Sequence, residues 1–186
     1  MVERADARQN RARILEVAAE ALARDGSTSL NAVAKLAGVG AGTLYRHFPN
    51  REALVLAVHR AEVQRLVDRI PELLATGPPL VALRAWFAQL AGLIRIKLGL
   101  GDALTTAGHE AANAESYGPV IGAIGALLAA GEADGSIRPG LDPDDVLMLM
   151  SSVWRVPEGA QADRLLDLAV DGLTASGTGR TGRSGC

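Results

Sequence analysis

The sequence predicts an all-helical fold, and three observations carry that expectation. Apolar residues return at intervals of three and four along most of the chain, the spacing that gives a helix one apolar stripe. No stretch alternates apolar and polar residues convincingly enough to read as a strand. Residues 37 to 48 (AGVGAGTLYRHF) read as the end of one helix, a three-residue reversal and a second short helix, the arrangement of a helix-turn-helix. That arrangement points to DNA recognition by the N-terminal part of the chain.

Taken in order, the chain opens with Arg4, Arg8, Arg11 and Arg13, read as a flexible basic arm ahead of the first apolar helix. The next helix places Leu30, Val33, Ala34 and Ala37 on one face. Gly38 stops it, because glycine tolerates the left-handed backbone that closes a helix end, and Val39 tucks inward as the chain reverses. In the following short helix Leu44 and Phe48 share the inward face, while Thr43, Arg46 and His47 share a polar and partly cationic one. Pro49 cannot continue this helix, and Asn50 caps the one that starts at Arg51. Residues 1 to 51 carry eight basic and five acidic side chains, and the remaining residues carry 11 and 16. The net charge of −2 therefore hides a basic head on an acidic body, as expected if only the head meets phosphates.

Residues 8 to 60 resemble the DNA-binding domain of the TetR (tetracycline repressor) family. The resemblance rests on residues 14–18 (ILEVA), Asp25-Gly26, residues 33–39 (VAKLAGV) and residues 42–54 (GTLYRHFPNREAL). It implies three helices forming a DNA-binding head, followed by about six in a ligand-binding and dimerising body. It assigns Ala41, Gly42 and Thr43 to the base-facing start of the recognition helix, beside the outward Arg46, and Tyr45 and His47 to phosphate contacts. Thr28 and Arg51 would also touch the DNA backbone. Gly40 departs from the family pattern, which often has a capping serine there; glycine is itself an acceptable N-cap, weaker than serine by only a few tenths of a kcal/mol.

Beyond residue 50 the reading is helix after helix. One runs from Arg51 toward Ile70, with Pro71 ending or kinking it. After a loop at residues 76–79, Leu80, Leu83, Phe87, Leu90, Ile94 and Leu98 keep helical spacing, and Trp86 and Leu93 off that stripe imply burial on more than one side. Two helices are expected over residues 102–113 and from Pro119 to about Ala133, the second weakened by Gly122, Gly125 and Gly131, which suggest close backbone packing or mobility. Asp142 caps the next, with Pro143 in its first turn and acids at its positive end. The last pair is expected over residues 143–155 and about 160–174. Their apolar residues occupy more than one face, implying a four-helix interface between two copies, with Met150, Trp154, Leu165 and Leu168 in it. The expected division is 1–50 for arm and DNA-binding head, 51–174 for the body, and 175–186 for a disordered tail.

In the body, Trp86, Arg95, His109, Glu110, Asn113 and Tyr117 are the groups expected to line a cavity for an apolar small-molecule effector. Residues 109–113 (HEAAN) approximate a zinc-protease helix, but Asn113 replaces the second histidine, so a metal site is not expected. Neither a Gly-x-Ser-x-Gly elbow nor a phosphate-binding loop nor a dinucleotide fingerprint occurs, and no cofactor or enzymatic activity is expected. Cys186 is the single cysteine, which leaves no internal disulfide. The start has no signal-like apolar run, and residues 79–101 are interrupted by Arg84, Arg95 and Lys97, so neither export nor membrane insertion is expected. The expectation is a cytoplasmic, homodimeric regulator, most simply a ligand-released repressor on a roughly palindromic double-stranded operator. The competing reading keeps the helical small-molecule-binding fold without DNA recognition.

Overall fold

The computed structural model describes residues 2–99 and 104–175, with side chains over residues 9–94 and 104–175. Among the described residues it is all-helical: α1 Val2–Arg24, α2 Leu30–Leu36, α3 Ala41–His47, α4 Arg51–Asp68, α5 Ile70–Thr76, α6 Pro79–Gly99, α7 Thr106–Asp134, α8 Pro143–Met150 and α9 Ala160–Asp171, with a 3-10 turn at Val153–Arg155. The described residues fall into two compact units, within the bounds Met1–Val67 with Gly92–Val120 and Asp68–Ala91 with Ile121–Cys186.

In the first unit Ile14, Ala18, Val33, Ala34, Leu44, Phe48, Leu54 and Val58 make one apolar core. Full burial of a side chain such as Leu44 or Phe48 contributes about 1.5–3 kcal/mol, enough to hold helices of seven residues that would not persist alone. The basic start of the chain is helical rather than a flexible arm, since α1 already begins at Val2. No glycine or proline interrupts residues 2–24, and Ala, Arg, Glu and Gln are strong helix formers. The side chains of Arg4 and Arg8 lie outside those described.

In the second unit Leu83, Trp86, Phe87, Leu90, Ile124, Leu127, Val146, Met150, Leu166 and Val170 are buried. The extra apolar residues of α6 are thus used on several sides, as their spacing implies. Gly131 shows close packing: a Cβ there would lie under 3.0 Å from the Ile137 side chain. Ile137 pairs with Thr174 in an isolated antiparallel bridge, and the Arg138 amide donates to the Leu173 carbonyl at 3.0 Å. Asp142 caps α8 by accepting from the Asp144 amide at 2.8 Å, with Pro143 in the first turn.

Four boundaries differ from expectation. Pro71 does not end α4, which stops at Asp68; it sits in the first turn of the separate α5, where its missing N–H costs nothing. The two helices expected around residues 102–133 are one, α7, which runs through Pro119. Proline inside a helix costs about 3 kcal/mol, and burial of Ala112, Val120, Ala123, Ile124 and Leu127 along the helix outweighs it. The helix expected over 143–155 closes at Met150, where Ser152 turns its hydroxyl back onto the Leu149 carbonyl at 3.0 Å. The last helix ends at Asp171, releasing Thr174 for the bridge to Ile137. The expected disordered tail lies, from residue 176 on, outside the described residues.

Candidate nucleic-acid interface

The reversal between α2 and α3 is built from backbone hydrogen bonds. Gly38, at φ +64°, donates to the Lys35 carbonyl at 3.2 Å, and Val39 donates to Ala34 at 3.0 Å. This paired pattern is the Schellman closure, which needs a left-handed residue at the position Gly38 holds. The start of α2 is capped by Ser29, whose hydroxyl accepts from the Ala32 amide at 3.2 Å. Gly40 is the N-cap of α3 without a side-chain bond, and Asn50 caps the next helix by accepting from Ala53 at 2.8 Å.

With Leu44 and Phe48 buried, the opposite side of α3 faces outward. Ala41, Gly42, Tyr45 and Arg46 are exposed, Thr43 and His47 half-buried. A Cβ at Gly42 would meet nothing within 4 Å, so the first turn of α3 presents an unobstructed backbone to any surface laid against it. Arg11 lies over the Phe48 ring, 5.3 Å from its centroid, close enough for a cation–π contact.

Two flanking arginines, Arg13 (exposed) and Arg51 (half-buried), donate to backbone carbonyls. Arg13 Nε donates to the Ala37 carbonyl at 2.8 Å, and its Nη2 donates to the same oxygen. Arg51 donates through Nε to the Thr28 carbonyl at 3.3 Å and through Nη2 to the Gly26 carbonyl. Thr28 is half-buried and spends its hydroxyl proton on the Asp25 carbonyl at 2.7 Å. Asp25 accepts from the Ser27 hydroxyl at 2.7 Å and the Ser27 amide at 2.8 Å. These two bonds, with a smaller contribution from the charge of Arg51, hold its carboxyl below the usual carboxylate range despite some desolvation.

One residue beyond Arg51, Glu52 accepts from the hydroxyl of Thr105 at 2.6 Å and from its amide at 3.0 Å. The same hydroxyl accepts from the Gly108 amide at 3.0 Å, so Thr105 caps α7 while bonded to α4. A Cβ at Gly108 would overlap the Glu52 carboxylate. Further along the same two helices Arg60 pairs with Glu115 at 2.7 Å, beside a small, open groove lined by His59, Val63, Gln64, Ala112, Ser116 and Pro119. Thr105 stands just before a helix with a glycine at its third position, a capping signal hidden from the sequence reading by starting that helix at residue 102.

The residues expected to line an effector cavity divide between the units. His109 is half-buried and Glu110, Asn113 and Tyr117 are exposed on the part of α7 in the first unit. Trp86 is fully buried in the second unit, edge-on to Phe87 with ring centroids 5.4 Å apart. Arg95 lies in α6 with its side chain outside those described. Of the residues expected between two copies, Met150 is instead buried in its own unit, Trp154 and Leu165 are half-buried, and Leu168 is 68% exposed. Met148 on α8, 75% exposed, was not singled out from the sequence.

A helical head whose second short helix turns a small and polar face outward defines a helix-turn-helix DNA-binding domain. Residues 14–58 match the family described as bacterial regulatory proteins, tetR family, and residues 78–175 match the transcriptional regulator SbtR-like C-terminal domain. The fold is similar to that of a TetR transcriptional regulator from Streptomyces coelicolor, 39% identical, covering 90% of this chain and 99% of that one with a TM-score of 0.77. A TetR transcription regulatory protein from Mycobacterium vanbaalenii is 36% identical, with 92% and 98% covered and a TM-score of 0.72. An HTH-type transcriptional regulator of Staphylococcus aureus (strain USA300) is 42% identical over 67 residues, and the match spans 35% of this chain and only 34% of that relative. The chain belongs to the TetR family of transcriptional regulators. Among the described residues no helix is long and apolar enough to cross a membrane.

Proposed function

We propose that the protein is a homodimeric, cytoplasmic repressor that sets the outward face of α3 in the major groove of a roughly palindromic operator and is released by an apolar small molecule. The observation that carries this reading is the division of α3 and its C-cap into a buried pair, Leu44 and the cap Phe48, and an outward set. Ala41, Gly42 and Thr43 lie at the end of the helix that would approach base edges, and Tyr45, Arg46 and His47 follow where phosphates would lie. Thr28, ahead of α2, is a further candidate for the DNA backbone. Base contacts specify and phosphate contacts position, so the two groups have different signatures.

Exposed Met148, Leu149 and Leu168, with half-buried Trp154 and Leu165, support an apolar contact between copies through α8 and α9. The bonds from Glu52 to Thr105, and the groove further along, support α4 as the element an effector would move. His109, Glu110, Asn113 and Tyr117 on α7 are the candidates for its polar contacts, although none of them lines that groove.

Mobility shifts against genomic fragments retained by the purified protein test the DNA reading. Replacing Tyr45 or His47 by Ala weakens binding to every fragment, whereas Thr43→Ala changes the order of preference among fragments. Binding unchanged in all three variants would remove α3 from the interface.

A further inference from the structure

We propose that Arg13 and Arg51 are positioning residues for DNA binding: they brace the two ends of α2 through backbone carbonyls and do not serve as counter-charges for phosphate. The proposal rests on the DNA-binding reading above and reassigns Arg51 within it. By charge alone, both count among the eight basic residues of the head.

The geometry gives each guanidinium a definite internal task. Arg13 reaches from α1 to Ala37, at the C-terminal end of α2, where helix carbonyls lack partners within the helix and the dipole is negative. The Schellman bonds satisfy Lys35 and Ala34, and the Ala37 carbonyl, left over, takes two N–H groups of one planar fork. Gly38 completes this arrangement, because a Cβ there would lie 2.7 Å from Arg13 Nη2. Arg51 grips Gly26 and Thr28, the two carbonyls that bracket the turn leading into Ser29, the cap of α2. Both arginines therefore hold α2 from neighbouring helices, and α3 is suspended between Gly38 and Arg51. Arg46 is the contrast: exposed like Arg13, it has no hydrogen-bond or ion-pair partner among the described residues.

A phosphate contact and a brace respond differently to charge-preserving substitution. A lysine keeps the positive charge that a phosphate needs but has no planar fork with which to set two N–H groups on one carbonyl, as Arg13 does, or on two, as Arg51 does. A phosphate contact also adds about 0.9 to the steepness of log affinity against log salt, and a brace adds nothing.

The experiment uses the full chain, with Arg13→Lys, Arg51→Lys, Arg13→Met, Arg51→Met and Arg46→Met, each checked for parental helicity at the assay temperature. Salt titrations on a mixed-sequence duplex of about 30 base pairs should give the parental slope for the Met variants at 13 and 51, and a slope lower by about one for Arg46→Met. The Lys variants should lose about tenfold in affinity for the genomic fragment the parent prefers, while holding the mixed duplex as the parent does. Without DNA, amide exchange at Gly38 and Val39 should quicken in Arg13→Lys. A slope lowered by about one in Arg13→Met or Arg51→Met would overturn the proposal for that residue, as would parental fragment affinity in the Lys variant. Unchanged exchange in Arg13→Lys would overturn the Arg13 brace. A parent that prefers no fragment would defeat the sequence-specific reading instead, and the slope and exchange measurements would still decide the braces.

Discussion

The carboxylate of Glu52 is bonded to both polar groups of Thr105, the hydroxyl at 2.6 Å and the amide at 3.0 Å, across 53 positions of sequence. Glu52 stands in the first turn of α4, five residues after His47 ends the candidate recognition helix, and Thr105 caps α7. One carboxylate thus ties the segment that follows α3 to the helix that carries His109, Asn113 and Tyr117.

This tie has a pH dependence of known sign. The hydroxyl and amide of Thr105 pull the Glu52 carboxyl below its usual range, helped by the charge of His109 and opposed by partial desolvation. A folded-state pKa below the unfolded one stabilises the protein above the unfolded pKa, and that contribution disappears as pH falls through the folded value. Melting temperatures followed from neutral pH into the acid range should fall less steeply for Glu52→Gln than for the parent. Parallel curves would show that the Glu52 bonds contribute nothing to stability.

Two glycines two residues apart should answer substitution with opposite signs. Gly38→Ala forces a side chain into the left-handed region against Arg13 and should cost about 1–2 kcal/mol. Gly40→Ser should add a few tenths of a kcal/mol, because Gly40 already has the extended backbone of a cap and a Cβ would find its nearest neighbour, Thr43 Oγ1, at 3.9 Å. Denaturant midpoints of the two variants measure this; a destabilising Gly40→Ser would mean that the added hydroxyl does not cap α3.

Gly131→Ala should destabilise by about 1–3 kcal/mol, since its Cβ would overlap the Ile137 side chain and Ile137 is anchored by the bridge to Thr174. Gly122→Ala, where a Cβ meets nothing within 4 Å, should be neutral or stabilising by up to about 1 kcal/mol. Equal melting temperatures for the pair would contradict the packing described at Gly131.

Leu168→Glu should give a folded monomer in sedimentation, because the parent's exposed leucine would be replaced by a charge within the apolar contact proposed between copies. A parent already monomeric at micromolar concentration would contradict the dimer.

What was legible in the sequence was local. Gly38, the inward pair Leu44 and Phe48, and the Asp142-Pro143 helix start follow from spacings of one to four residues, where backbone geometry and helix periodicity act directly. The passage of α7 through Pro119 was not legible, because a local penalty is outweighed by burial supplied from elsewhere. The partners of Arg13 and Arg51 are carbonyls 24 and 25 residues away, and every residue offers a carbonyl, so composition shows only the charge. The outward face of α3 was readable as a set; the carbonyl partners of the flanking arginines were not.

Selection of binding sites by the parent from a random duplex pool tests whether α3 reads base sequence. The retained duplexes should share an inverted repeat whose half-sites lie about one helical turn, roughly 34–36 Å, or a multiple of it apart, and Thr43→Ala should enrich a different half-site. A pool with no shared motif, or the same motif from Thr43→Ala and from a variant with Ala41 and Gly42 also replaced, would contradict that reading.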